Sequence, residues 1–176
     1  MRIFTVGHST HPLDEFAALL DRHGIRAVAD VRRAPYSRRH PQFNREPLAA
    51  ALEERGVGYR HLEDLGGRRQ RRPGSPNGGW EHPAFQGYAD YALTEPFARA
   101  LEELKQLDGP AAVMCAEALW WRCHRRLIAD RLTAQGVTVC HIGSDGELTA
   151  HELPPFAVLE GDKVLYPPIQ GSLLEP

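Results

Sequence analysis

Four times along the chain a helix-forming stretch closes on a glycine and passes at once into a short apolar or β-branched run: DRHG-IRAVADV, EERG-VGYRHL, QLDG-PAAVMC and TAQG-VTVCHI. Gly24, Gly56, Gly109 and Gly136 suit the left-handed position that ends a helix, where a side chain would crowd the backbone. Each following run has the length and composition of a strand buried on both faces. With residues 3–6 as a first strand, five strands alternate with helices, and strands joined by such crossovers lie mostly parallel. The pattern predicts an α/β domain, three-layered and Rossmann- or flavodoxin-like, around a mostly parallel sheet of about five strands. Helices are expected over 12–23, 45–55, 85–107 and 123–135. Pro154-Pro155 and Pro167-Pro168 bracket AVLEGDKVLY, a small hairpin turning at Gly161-Asp162. The expected organisation is one α/β domain over 1–150, with a C-terminal tail or hairpin over 151–176 packed on it.

A length of 176 residues fits one domain able to bury a core without staples. With 42% apolar and 25% charged residues, wholesale disorder and a fibrous chain are excluded. No apolar stretch approaches the ~20 residues of a membrane helix. MRIFTVGHST lacks the apolar run of a secretory signal, so a cytoplasmic location is expected. Three cysteines, an odd number in a reducing compartment, argue against a disulfide framework. The net charge of −2 hides an asymmetry: residues 22–72 hold thirteen arginines against six acids. That surplus points to an anionic partner, a nucleotide or a nucleic acid, and no membrane.

Ligands of an open parallel sheet bind outside the carboxyl ends of its strands. The residues expected there are Gly7-His8-Ser9-Thr10, Asp30-Val31-Arg32-Arg33, Cys115-Ala116-Glu117 and His141-Ile142-Gly143-Ser144-Asp145. Hydroxyl, imidazole, carboxylate, guanidinium and thiol thus collect at one edge. Cys115 ends a strand, and Cys123, His124 and Arg125 open the next helix, a joint at which a thiol pKa can fall. A distant likeness to the Cys–Arg phosphate loop of cysteine phosphatases and rhodanese-like enzymes fails on spacing. Six residues separate Cys115 from Arg122, and none is glycine. A metal set of Cys115, Cys123 and His124, with His8 or His141, matches no common zinc spacing. No cofactor is therefore expected. The absence of a Walker loop and of GxGxxG disfavours an ordinary NTPase or dinucleotide enzyme. Residues 66–87 carry no apolar period and read as a lid or binding loop.

The ordered set Gly7-His8-Ser9, Asp30-Val31-Arg32 with Pro35 and Ser37, Phe43, Tyr59, Leu65-Gly66-Gly67, Cys115-Ala116-Glu117 and Cys123-His124-Arg125 resembles the bacterial and archaeal domain of unknown function 488 family. The resemblance covers about residues 3–145 and implies a compact α/β fold, without a reaction.

Three functions follow as expectations. In the first, the protein is an enzyme, a hydrolase or transferase, acting on a phosphate-bearing nucleotide or nucleic acid. Glu117 is its nucleophile or base, Cys115 a nucleophile, and His8 or His124 the proton shuttle, while Ser9, Arg32, Arg122 and Arg125 hold the anion. In the second, it is a non-catalytic nucleic-acid module using Arg68, Arg69, Arg71, Arg72 and Trp80. In the third, it is a thiol or metal sensor built on Cys115, Cys123 and His124.

Overall fold

The computed structural model of the protein describes residues 1–168. In chain order its elements are β1 (Arg2–Gly7), α1 (Leu13–Arg22), β2 (Ala27–Asp30), α2 (Arg45–Glu53) and β3 (Gly58–His61). Then come α3 (Pro83–Tyr91), α4 (Glu95–Lys105), β4 (Ala111–Cys115), α5 (Arg125–Ala134), β5 (Thr138–Ile142) and β6 (Leu148–Ala150). A short antiparallel hairpin, β7 (Val158–Glu160) and β8 (Lys163–Leu165), follows.

The large sheet runs β3-β2-β4-β1-β5-β6. Its first five strands are parallel and are the five that the glycine-punctuated pattern predicts. The sixth, β6, adds an antiparallel edge that the pattern misses. A tight turn makes it: Gly146 takes φ 80°, and the Gly143 amide donates to Glu147 O at 2.9 Å. The single helix expected over 85–107 is two. Pro96 sits in the first turn of α4, where its missing N–H costs nothing, whereas a continuous helix would drive its ring into the Ala92 carbonyl.

Neighbouring residues of one strand pack into different cores, so the sheet is covered on both faces. Phe4, Val6, Val28 and Met114 join Phe16 and Leu20 of α1 and Leu48 and Leu52 of α2. Ile3, Ala29 and Val113 join Tyr88 of α3, Phe97 and Leu101 of α4, and Leu127 of α5. The result is a three-layer α/β domain. The chain leaves β1 and β2 toward one face and β4 toward the other. The strand order therefore reverses at the carboxyl ends of β1, β4 and β2, a topological switch point of the kind at which such sheets bind ligands.

Two irregular segments are tied down by buried polar groups. Asp90 of α3 accepts from the Arg72 amide at 2.9 Å, the Ser75 hydroxyl at 2.5 Å and the Asn77 side-chain amide at 2.8 Å. This buried carboxylate gives the 66–87 loop its shape. Asn77 Oδ1 in turn accepts from the Tyr166 amide at 3.0 Å, and Tyr166 is buried against Trp80 and Phe156. The C-terminal hairpin thus packs on the domain, and residues 169–176 of the expected tail lie outside the described residues.

Candidate functional site

Gly7 sets the geometry of the switch point. A Cβ there would lie 2.0 Å from the Glu117 carbonyl oxygen, so only glycine lets the loop after β4 cross the end of β1. The His8 and Ser9 amides then donate to Cys115 O at 2.9 Å and Ala116 O at 3.1 Å, continuing the β1–β4 ladder past its end. Ser9, at φ 47°, turns the chain into α1.

Cys115 and Cys123 face each other with their sulfurs 2.9 Å apart, and neither is in a disulfide. The Glu117 amide donates to Cys115 Sγ at 3.3 Å. His124 lies beyond Cys123: its Nε2–H donates to Val31 O at 3.1 Å, which aims Nδ1 at Cys123 Sγ, 3.4 Å away. Burial and the hydrogen bond to Cys123 push the Cys115 thiol up. The hydrogen bond from Cys115, with the bond to and charge of His124 and the charge of Arg125, holds Cys123 far below the ordinary thiol range. Gly67 is the other close approach: a Cβ there would lie 2.9 Å from His124 Nδ1. Leu65-Gly66-Gly67 is therefore the segment that lets the long loop pack on the thiol centre.

The second cluster joins the ends of β1 and β2. Asp30 accepts from the Arg32 guanidinium, at 2.6 Å from Nη2 and 2.9 Å from Nε, and from the Tyr59 hydroxyl at 2.7 Å. Arg32 Nη2 also donates to Phe43 O at 2.7 Å, and Nη1 lies 3.3 Å from His8 Nε2. His8 stacks on Phe43 with ring centres 4.2 Å apart and donates from Nδ1 to Ser9 O. Burial, then the Arg32 charge, lowers the His8 pKa to about 4, so it is a neutral acceptor of the Arg32 proton.

A third cluster lies between the sheet and α5. Tyr166 donates to Asp130 Oδ2 at 2.6 Å, and His151 Nε2 to Asp130 Oδ1 at 2.7 Å. His151 Nδ1 is 2.9 Å from His141 Nε2, and His141 Nδ1 is 2.7 Å from the Thr5 hydroxyl. One polarity satisfies every link: Thr5 O–H to His141, His141 N–H to His151, His151 N–H to Asp130. Burial, followed by the neighbouring His151, brings the His141 pKa down to about 3. Trp120 roofs this imidazole, with ring centres 3.9 Å apart and planes 4° from parallel. Arg125 stands at the other end, with Nη1 3.5 Å from Thr5 Oγ1 and Nη2 on the carbonyls of Glu117 and Ala118. Of this cluster, sequence reasoning singled out His141, at a strand end and as a metal ligand, and Arg125, as an anion holder. Thr5, Asp130, His151 and Tyr166 carry no local signal beyond being polar among apolar neighbours.

The predicted residues therefore divide. His8, Ser9, Arg32, Cys115, Cys123 and His124 come together at the switch point, and Glu117 stands exposed beside it with Oε1 accepting from the Leu119 amide. Two anion-holding assignments need correction. Arg125 is 0% exposed, with its Nη groups on Thr5, Glu117 and Ala118 and its Nε without a partner, and Arg32 is neutralised by Asp30. Arg122 remains exposed, as do Arg33, Arg38 and Arg39 on the loop after β2 and Arg68 on the loop after β3. Arg33 Nη1 donates to Arg68 O at 3.1 Å, linking the two basic loops. Trp80 also needs correction. It is 8% exposed, enclosed by Phe85, Phe156 and Tyr166, and offers no face to a base. Arg69 lies over the Tyr91 ring at 3.7 Å, while Arg71 and Arg72 are exposed.

Among the described residues, no three or more His, Cys, Asp or Glu side chains are grouped so as to hold a metal ion. Nor is any helix among them long and apolar enough to cross a membrane. An open groove of about 460 Å³ between His61, Glu63, Asp64, Arg99 and Glu103 lies at the β3 edge, apart from the thiol centre.

A family model described as Domain of unknown function DUF488 matches residues 12–132. No curated protein and no solved structure matches the chain.

Proposed function

Because the chain belongs to the family described as Domain of unknown function DUF488, a description that names no reaction, we propose its function from the thiol centre at the switch point: a thiol-dependent enzyme acting on a phosphate-bearing nucleotide. The observation that carries this reading is the Cys115–Cys123–His124 cluster at the topological switch point. Cys123 is the nucleophile, because its surroundings favour the thiolate while those of Cys115 favour the thiol. His124, fixed in one orientation by Val31, is its proton partner. Glu117 is exposed beside the thiol centre and is the group that protonates the leaving atom, then takes a proton from the incoming water or acceptor. Arg122, with Arg33, Arg38, Arg39 and Arg68, draws in the phosphate, since free guanidinium forks match phosphate oxygens. The doubly wound, Rossmann-like arrangement supports a nucleotide at this edge rather than along the loop that buries Trp80.

The test is a screen of nucleoside mono- and diphosphates and their conjugates for turnover by the full chain. Cys123→Ser is expected to abolish turnover, Glu117→Gln to lower kcat by about 100-fold or more, and Arg122→Ala to raise KM with kcat little changed. If Cys123→Ser and Cys115→Ser both keep full turnover, the thiol has no catalytic part.

A further inference from the structure

We propose that Cys115 and Cys123 are a reversible dithiol–disulfide couple that reduces a small hydroperoxide. The two sulfurs are already 2.9 Å apart, and a disulfide needs about 2.05 Å, so closure takes a movement of about 0.9 Å. Cys115 is anchored at the end of β4, inside the sheet. Cys123 follows a single short turn, Trp120–Arg122, and precedes α5, so the connecting loop can supply that movement. The pair is 3% and 7% exposed, which keeps out the bulk of a folded protein's disulfide and favours a small oxidant. His124 Nδ1, 3.4 Å from Cys123 Sγ, supplies the proton that a departing alkoxide or hydroxide needs.

The electron count closes without another reagent. Cys123 thiolate attacks the terminal oxygen of the hydroperoxide, and the O–O bond breaks. The alcohol or water leaves with the proton from His124, and Cys123 becomes a sulfenic acid. Cys115 sulfur then attacks Cys123 Sγ, and the S–O bond breaks. Hydroxide departs as water with the Cys115 proton. Two thiols have become one disulfide, and the peroxide has gained the two electrons. Cys140, on β5 and half-buried, takes no part. The inference does not depend on the nucleotide reading, but where that reading holds, the oxidised form is inactive because Cys123 is consumed.

The experiment treats the reduced full chain with one equivalent of hydrogen peroxide, then counts thiols after denaturation and maps peptides without reduction. The free thiols are expected to fall from three to one, with a 115–123 cross-linked peptide and full recovery in dithiothreitol. Cys140→Ser is expected to leave the cross-link intact. Cys115→Ser is expected to stop at a sulfenic acid on Cys123 that a 1,3-dione traps. Loss of Cys140 alone, a cross-link between two chains, or three surviving thiols overturns the proposal, and the wild-type map decides even if a variant fails to fold. A protein that forms the cross-link yet turns over nucleotide unchanged defeats the catalytic role of Cys123 and leaves the couple standing.

Discussion

Cys115 and Cys123, eight positions apart, are one chemical group in two environments. Burial keeps the first a thiol, whereas hydrogen bonds from Cys115 and His124 draw the second toward the thiolate. The ultraviolet absorbance of thiolate is therefore expected to titrate for one cysteine well below the ordinary range near 8.5. That low-pH step should vanish in Cys123→Ser and move up by about one unit or more in His124→Ala. A single step in the ordinary range for all cysteines contradicts the assignment. Asp130 gives a second prediction at this scale. It accepts from both His151 and Tyr166 in the core, so Asp130→Asn turns an NH₂ toward a donor. The expected loss is about 3 kcal/mol in urea unfolding, against about 1 kcal/mol for Tyr166→Phe.

Between elements, glycines do two different jobs, and their substitutions separate them. Gly24 ends α1 at φ 63° with open space around it, so Gly24→Ala costs only the strain of a left-handed residue, about 1 kcal/mol. Gly7 has no positive φ, yet an added methyl meets the backbone of the β4 loop at 2.0 Å. Gly7→Ala is expected to cost about 3 kcal/mol or more and to disturb the thiol centre, because the displaced carbonyl of Glu117 is the one that Arg125 holds. Equal melting temperatures for the two variants would refute this reading of the loop crossing.

At the scale of the molecule, two buried histidines make stability depend on pH. His8 and His141 have folded-state pKa values of about 4 and about 3, both below the ordinary 6.5. Between 6.5 and those values the unfolded chain binds more protons than the folded one. Their contribution is complete above pH 6.5 and is lost as the pH falls through that window. The urea midpoint should accordingly drop between pH 7 and pH 4.5, and His141→Gln should flatten the drop while lowering the value at pH 7. The C-terminal hairpin belongs to the same unit. Removing residues after 150 takes away both donors to Asp130 and strands its charge in the core. Truncation is expected to cost about 3–5 kcal/mol and to be read as loss of soluble, cooperatively melting protein.

The glycine-to-strand punctuation is a local property, and it determined the five parallel strands and the residues that stand at their carboxyl ends. His8, Arg32, Cys115 and His124 were legible for that reason. Which of them touch was decided only when β4 came to lie between β1 and β2, a choice of strand order that no local period carries. The same long-range placement buried Arg125 and Trp80, removing them from ligand contact. It also joined Thr5 to His141 across 136 positions. Hydrogen-bond partners so far apart in sequence are matched by register and burial, and the chain acquires both only in the folded state.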